Sequence, residues 1–372
     1  MKKILLAAFV AVLALTSCNK ENGLVSEGQT ILVNLPNVTT RAVEGQVAPG
    51  TESTLSALNN AIFLLNGVSV VAVSEFDGTD ITAGYKRLEQ VPSSVNGVLV
   101  VANIPGSAAD IAAVKALTTS TAIESYPFLA TTQNGTAGVA DKLMMGKDVA
   151  LNSTATDPAP DGHTYKEATV LLRSVTARME IGAVTEGTGI VPGSLELVSV
   201  WINNFYTNFS KTPATLQNYP STDPVWPVIT NIISPALLPN PSIPAYTPAV
   251  YQNNVSPLVD LTAGTQVYAY QVFAGNLPQV IMLVKGQFDT GYHDGTNEYF
   301  MQYVTFSKYT DDATTLAVTS FAGNSIYKIG VGTGGVVITP GILTPTPNTE
   351  SFDLGINVSV APWTIVNVTP AV

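Results

Sequence analysis

Residues 29–35 read QTILVNL, and the alternation of their side chains predicts a β-strand. In an extended chain successive side chains point to opposite faces, so Ile31, Val33 and Leu35 share one apolar face. Pro36 follows and ends the strand, because proline lacks the N–H group that a strand interior donates. This segment therefore predicts a short strand with one apolar face.

Similar runs rich in Val, Ile, Thr, Tyr and Phe recur along the chain, broken by Gly, Pro, Asn and Ser, which is typical of strands and turns. They occupy residues 61–73, 97–104, 168–181, 195–202, 266–273, 280–284, 299–306, 325–331 and 352–360. One helix is predicted over residues 108–117, where Ile111, Val114 and Leu117 have helical spacing. The pattern predicts an all-β protein with minor helix, and the chain length and number of strands predict two tandem β-sandwich domains.

The composition indicates a folded chain and argues against nucleic acid as a partner. Hydrophobic residues make up 46% of the 372 residues and charged residues only 12%, against about 25% in a typical domain. Disorder requires the opposite balance. The formal net charge is −11 and the basic residues are scattered, whereas phosphate binding needs a clustered positive surface.

The N-terminus has the features of a secretion signal that ends at a lipid-modified cysteine. Lys2 and Lys3 precede an uncharged apolar run over residues 4–15, which is too short to span a bilayer comfortably. Residues 15–18 (LTSC) resemble the bacterial lipobox, and Cys18 is the only cysteine of the chain. The resemblance implies acylation of Cys18, and so a precursor anchored in the outer membrane. An ordinary signal peptide with an unrelated cysteine is the alternative.

Arg41 lies between the predicted strand and the rest of the chain. Residues 18–28 are polar and predict a tether, and residues 36–49 predict an exposed loop, where proteases commonly cut. Arg41 is the first arginine of the sequence. Cleavage between Arg41 and Ala42 would release residues 29–35 together with the lipid. A solvated loop charge is the alternative.

The C-terminal end is uncharged and β-prone up to its last residue. Ile365, Val366 and Val368 lie within residues 364–372, which follow Trp363. An apolar strand at a free end promotes association between chains, and proteins usually shield such edges. Either this tail completes its own sheet or it pairs with a neighbouring molecule, and the pattern alone leaves both interpretations open.

These features divide the chain into four parts. The parts are a signal peptide (1–17), a propeptide with a removable strand (18–41), an N-terminal β-sandwich domain (42–185) and a C-terminal β-sandwich domain (186–372) that ends in the strand 364–372. A Gly- and Thr-rich stretch over residues 185–193 predicts a linker. A Pro-rich stretch over residues 212–248 predicts a long surface loop, because proline is excluded from central strands.

Several motifs, taken in their order along the chain, resemble those of the Bacteroidales-type fimbrillins, the structural subunits of type V pili. The motifs are GVLVVANIP (97–105), LMMG (143–146), LRSVTARMEI (172–181), NSIYKI (324–329) and VSVAPW (358–363). Together with the lipobox they extend over most of the chain.

The resemblance implies a structural role and β-sandwich domains of the transthyretin-like type. Fimbrillins are exported as lipoproteins, and an Arg-specific protease removes their N-terminal segment, which leaves an apolar groove. The C-terminal strand of the next subunit fills this groove by donor-strand exchange, which builds surface fimbriae that support adhesion. In this chain residues 29–35 would be displaced and residues 364–372 would be the donor. The implied partners are copies of the chain, other fimbrial subunits and the maturation protease.

Two alternatives stay open at this point. A tip or accessory fimbrial subunit would need the groove but has less need of a donor strand. A monomeric surface lipoprotein that binds glycans would instead present exposed aromatic side chains, for which Trp201, Trp226 and Trp363 are the candidates.

The motifs that could indicate catalysis are weak. Asp-Thr-Gly at residues 289–291 occurs once, whereas aspartic proteases need two carboxylates, so a hairpin turn is predicted. The letters GVGTGG at 330–335 fit a dinucleotide-binding motif, but a strand is predicted after them where the motif needs a helix. The only histidines, His163 and His293, cannot form a three-His zinc site. We therefore expect no enzyme activity, no cofactor and no metal.

Overall fold

The structure is a computed structural model of the chain. It describes residues 29–35, 45–47, 59–134, 142–152, 165–209, 215–229, 246–254, 267–289, 298–311, 316–331, 335–347 and 352–360.

Strands dominate the described residues, as the sequence predicts. The strands of the first half are β1 (Gln29–Asn34), β2 (Gly45–Val47), β3 (Ala61–Asn66), β4 (Ser69–Ser74), β5 (Tyr85–Val91), β6 (Gly97–Ala102), β7 (Phe128–Leu129), β8 (Met144–Asp148), β9 (Tyr165–Thr169), β10 (Arg173–Ser174), β11 (Thr176–Ile181) and β12 (Val184–Glu186). Those of the second half are β13 (Glu196–Asn203), β14 (Phe205–Tyr206), β15 (Asn208–Phe209), β16 (Leu216–Gln217), β17 (Gln252–Asn254), β18 (Val267–Phe273), β19 (Gln279–Gln287), β20 (Tyr299–Asp311), β21 (Leu316–Val318), β22 (Ser325–Ile329), β23 (Val336–Ile338) and β24 (Phe352–Val360). Each of the runs predicted as strand contains strand, and the all-β class is confirmed.

The α-helices within the described residues are few and short. They are α1 (Gly78–Ala83), α2 (Ala108–Lys115) and α3 (Ser120–Glu124), and single 3₁₀ turns lie at Ala130–Thr132, Ala249–Tyr251 and Pro340–Ile342. The predicted helix over 108–117 is confirmed as α2. Ser107 and Asp110 form a capping box at its N-terminus, and Val114 is buried. None of the described helices has the length and apolar character needed to cross a membrane.

Two sheets of the first half pack face to face. The order of the five-stranded sheet is β10-β8-β6-β3-β4, and that of the three-stranded sheet is β5-β1-β9. Buried aliphatic side chains from both sheets form one core cluster, to which β1 contributes Ile31, Val33 and Leu35. The opposite face of the five-stranded sheet packs on α2 and α3 through Val114 and Ile123.

Most of the described strands of the second half lie in a ten-stranded sheet. Its order is β17-β13-β19-β20-β24-β22-β11-β18-β2, with β21 paired to β20. The long hairpin of β19 and β20 pairs from Val280 with Phe306 to Gln287 with Tyr299. Strand β24 lies between β20, to which it runs parallel, and β22, to which it runs antiparallel.

The chain passes from one sheet system to the other at Val175. Strand β10 pairs with β8 in the five-stranded sheet, whereas β11 pairs with β18 and β22 in the ten-stranded sheet. The stretch over 185–193, predicted as a linker, begins within β12, which pairs in parallel with β23. The division into domains at residue 185 stays a prediction.

An aromatic cluster anchors the described part of the Pro-rich stretch to the large sheet. Trp226 packs edge-on against Trp201 of β13, with ring centroids 5.6 Å apart, and also contacts Tyr246 at 5.6 Å and Tyr303 at 6.2 Å. Trp226 and Tyr246 are buried, so the prediction of a surface loop is wrong for these residues. Large aromatic rings bury enough apolar area to fix a segment that lacks regular structure.

Candidate functional site

Strand β1 lies in the middle of its sheet and fills a space that is one strand wide. It pairs antiparallel with β5, where Val33 faces Lys86, and parallel with β9, where Val33 faces Ala168. Neighbouring strands are about 4.8 Å apart, so β5 and β9 are separated by about 9.6 Å. We call the space between β5 and β9 that β1 occupies the β1 slot.

The inner side of the β1 slot is apolar. Ile31 and Val33 are fully buried and Leu35 is 3% exposed. The floor beneath them consists of buried side chains of the five-stranded sheet, namely Ile62, Leu64, Val98, Val100, Ala102 and Met144. Each aliphatic side chain that is transferred from water to this floor stabilises the fold by roughly 1.5–3 kcal/mol.

Hydrogen bonds hold both ends of β1. The Gln29 side-chain amide donates to the carbonyl oxygens of Pro92 and Val95, at 3.0 and 2.9 Å. At the other end, the N–H of Leu35 donates to the Gly84 carbonyl at 2.8 Å. These contacts fix the register of the strand as well as its position.

The outer side of the β1 slot is polar and partly exposed. Leu32 lies opposite Arg87 on β5 and Glu167 on β9. The Asn34 side-chain amide donates to the carboxylate of Glu167. The β1 slot therefore has an aliphatic inner face and an outer face on which the Asn34 amide contacts the Glu167 carboxylate.

The wall formed by β5 has support outside the slot. The Lys86 ammonium group lies 2.8 Å from the carboxylate of Asp80 in α1. Helix α1 is fixed by its N-cap, Asp77, whose carboxylate accepts hydrogen bonds from the N–H groups of Asp80 and Thr79. These hydrogen bonds hold the pKa of Asp77 below its ordinary value. The interactions of β5 with α1 do not involve β1.

The wall formed by β9 is also supported from outside the slot. Glu167 and Asn152 exchange two main-chain hydrogen bonds of 2.8 Å. The N–H of Thr169 donates to the Asp148 carboxylate at 2.8 Å. Both walls of the slot thus have contacts that do not involve β1.

The chain leaves the slot and enters a different sheet. Strand β2 pairs with the edge of β18, with Val47 opposite Val267. The predicted cleavage residues Arg41 and Ala42 lie outside the described residues, in the sequence between β1 and β2. A cut there would leave β2 on the main body and would leave β1 without a covalent link to it.

The two strand-like pieces of the C-terminus have different positions relative to the described residues. Residues 352–360 form β24, which completes the chain's own ten-stranded sheet. Ile365, Val366 and Val368 of the predicted donor strand lie outside the described residues, as does Cys18.

The structure describes some of the other motifs. The predicted strand after the Gly-rich letters at 330–335 is confirmed as β23. Asp289 follows β19 in the connection to β20, which pairs with β19. His163 and His293 lie outside the described residues. Within the part of the chain that the structure describes, no group of three His, Cys, Asp or Glu side chains could hold a metal ion.

The tryptophans proposed for glycan binding are part of the core where the structure describes them. Trp201 is fully buried and Trp226 is 2% exposed, so neither side chain presents a ring to a ligand. Trp363 lies outside the described residues.

Sequence reasoning missed the walls of the slot. The sequence of strand β5 is YKRLEQV. Its charged residues obscure the apolar pattern that would have identified Leu88 and Val91 as inward-facing. The alternation of 29–35 identified the apolar face of β1 but not its neighbours, because β5 and β9 are distant in sequence. Asn34 and Glu167 carried no signal that would have paired them.

Comparison with known proteins identifies solved structures to which the chain is similar. No protein-family profile matches the chain, and no curated protein matches it. It is similar to a fimbrilin from Porphyromonas gingivalis W83, at 14% identity and a TM-score of 0.49, over 92% of this chain and 100% of the other. It is also similar to a candidate cell adhesion protein from Bacteroides eggerthii, at 17% identity and a TM-score of 0.48, over 94% of this chain and 98% of the other. The tip fimbrial protein Mfa3 from Porphyromonas gingivalis matches at 13% identity and a TM-score of 0.37, over 89% of this chain and 98% of the other. Fimbrillins, which the sequence motifs resemble, are thus among the solved structures to which the chain is similar.

Proposed function

We propose that the chain is a structural fimbrial subunit that polymerises by donor-strand exchange after cleavage at Arg41, and that the fibre supports adhesion. The observation that carries the proposal is the position of β1. It is the central strand of its sheet, it covers an apolar floor, and its only covalent link to the main body runs through the segment that contains Arg41.

Removal of β1 would leave a binding site for another strand. The exposed floor would be apolar, and the facing edges of β5 and β9 would present unpaired main-chain groups. Addition of a strand to such edges is a known recognition mode, in which main-chain hydrogen bonds give affinity and side-chain pockets give specificity. A strand in this space is strongly favoured over water. The strand buries the apolar floor, and each main-chain hydrogen bond that it makes contributes about 1 kcal/mol more.

The tail over 364–372 is the proposed donor. It follows β24, which stays in its own sheet, so the donor can leave the subunit while the fold of that subunit remains intact. Because slot and donor lie at different places on one chain, each subunit would fill the slot of a neighbour and offer its tail to the next. A head-to-tail contact of this kind does not close on itself and yields a filament.

The proposal includes the route to the cell surface. Lipid attached at Cys18 would hold the precursor at the outer membrane, and cleavage by an Arg-specific protease would release the subunit from its anchor into extracellular fimbriae. The fold would consist of two tandem β-sandwich domains of the transthyretin-like type, the first built around the three- and five-stranded sheets.

Replacement of the cleavage residue tests the proposal. In the full precursor, Arg41→Ala should leave a lipidated, full-length monomer, whereas the unaltered chain should give polymer ladders on gels of unheated samples. Mass spectrometry of the unaltered mature chain should find Ala42 as the first residue. Lys20→Ala is the matched control, because it removes the other basic residue of the propeptide and should not affect cleavage or polymer formation. Polymers of full-length Arg41→Ala chains would contradict the proposed maturation.

A tip or accessory subunit of the same fimbria is the second candidate. A subunit at the tip accepts a donor strand but need not supply one. The β-prone tail after Trp363 favours a position within the stalk, where each subunit does both.

A further inference from the structure

The tail repeats the pattern of the strand that it is proposed to replace. Residues 32–35 read LVNL and residues 365–368 read IVNV. Each is an aliphatic residue, then Val, then Asn, then another aliphatic residue. Within the 372 residues this order of Val-Asn between two aliphatic residues occurs at these two places only.

Each position of this pattern has a defined environment in the β1 slot. Leu32 lies on the outer side between Arg87 and Glu167. Val33 is fully buried, and the amide of Asn34 donates to Glu167. Leu35 is again buried on the floor. The pattern therefore encodes the alternation between floor and outer side, together with one specific polar contact.

We propose that the tail of one subunit enters the slot of another in the register that places Val366 at the position of Val33. This inference rests on the proposed function. Asn367 then takes the place of Asn34 and donates to Glu167, Val368 takes the place of Leu35, and Ile365 that of Leu32. The direction follows from the same match: only a tail that runs in the direction of β1 places Ile365 at the Leu32 position.

The register makes Glu167 a specificity-determining residue of the slot. A shift of one residue would put Asn367 on the apolar floor, where an amide without a hydrogen-bond partner costs about 1–3 kcal/mol. A shift of two residues would keep the correct face but would place Ile365 or Thr369 beside Glu167. Ile365 has no donor group, and the register with Thr369 beside Glu167 would put Pro370, which lacks an N–H, at the position where the Leu35 N–H donates to Gly84. The Asn–Glu167 contact thus selects one register among those that the aliphatic residues alone would allow.

The match also identifies one position where the tail fits less well than β1. Thr364 takes the place of Ile31, which is fully buried on the floor. Threonine fills less of this position and brings a hydroxyl group into an apolar environment. The variant Thr364→Ile should therefore strengthen the contact between subunits and raise the temperature at which polymers dissociate in detergent. A lower dissociation temperature would overturn the register.

Disulfide mapping tests the register directly, because the chain has no cysteine after Arg41. Thr169 of β9 is exposed and lies opposite Asn34, so it should lie opposite Asn367 in the polymer. The full chain with Thr169→Cys and Asn367→Cys should form ladders under oxidation that resist heating and collapse on reduction. Matched controls combine Thr169→Cys with Val366→Cys or with Ile365→Cys, and any polymers that these chains form should lack cross-links that resist heating.

The outcomes separate the register from the proposed function. Heat-resistant ladders from a control pair, but not from the Asn367→Cys pair, would overturn the register and leave donor-strand exchange in place. A disulfide within one monomer would place the tail in its own slot, and failure of all three variants and of the unaltered mature chain to polymerise would overturn the proposed function itself.

Discussion

At the scale of single residues, β1 is held by a small number of buried contacts. Ile31, Val33 and Leu35 cover the floor of the slot, and Gln29 and Asn34 make the side-chain hydrogen bonds. None of these contacts is covalent. In the proposed function, an incoming strand that offers equivalent groups would replace them after cleavage.

Val33→Ala should destabilise the uncleaved precursor by about 1–3 kcal/mol, because it removes buried methyl groups above the floor. Leu32→Ala, on the half-buried outer side, is the matched control and should cost less. Urea unfolding of both precursors measures the difference. The same substitutions should not change the stability of the mature chain, from which residues 32 and 33 have been removed. Equal losses of unfolding free energy for the two precursors would argue against a β1 slot with one apolar side.

Gly146 is a second position where one residue determines local packing. A Cβ atom built on it would lie 2.6 Å from the carbonyl oxygen of Leu171 and 2.7 Å from Val170. Only glycine allows β8 to pass this close to the segment that follows β9. This contact gives a physical reason for the glycine of the LMMG motif.

At the scale of elements, β24 connects two parts of the large sheet. Its first residues pair with β20, where Tyr309 lies opposite Leu354, and its last residues pair with β22, where Tyr327 lies opposite Val358. Without β24, both β20 and β22 would have an unpaired edge inside the sheet. The strand is therefore a structural element of its own subunit.

Two C-terminal deletions should have different effects. Deletion of 364–372 should leave a folded subunit that is cleaved at Arg41 but cannot extend a polymer. Deletion of 352–372 should also remove β24 and cause loss of the native fold, because the ten-stranded sheet loses a central strand. Circular dichroism and gels of unheated samples measure folding and polymer formation. Unchanged fibres from the shorter deletion would assign the tail to its own sheet.

At the scale of the whole molecule, a polar clamp joins the first half of the chain to the large sheet. The Asn134 side-chain amide donates to the Tyr251 hydroxyl at 2.8 Å, and its carbonyl oxygen accepts the N–H of Gln271 at 2.7 Å. Nearby, the N–H of Ala130 donates to the Thr207 carbonyl at 2.8 Å. In the proposed fibre, these contacts would connect the sheets through which force passes along each subunit.

Asn134→Ala should weaken the connection between the two halves. The substitution leaves the buried N–H of Gln271 without its partner, which costs about 1–3 kcal/mol. Asn96→Ala, which removes an exposed contact to the N–H of Gly67, is the matched control and should have a smaller effect. Thermal unfolding followed by calorimetry measures both variants. An equal loss of thermal stability for Asn96→Ala and Asn134→Ala would contradict the conclusion that Asn134 joins the two halves of the chain.

The sequence by itself determined the all-β class, the strand at 29–35 with its apolar face, and helix α2, because side-chain alternation and helical spacing are local properties. The folded structure alone decided that β1 lies between β5 and β9, that β24 joins β20 to β22, and that Val175 is the crossing point between sheets. Those pairings join segments far apart in the chain. Their choice depends on how the faces pack together and on the entropy of closing the intervening loops, which no local pattern records. Asn34 and Glu167, 133 positions apart, become neighbours for that reason.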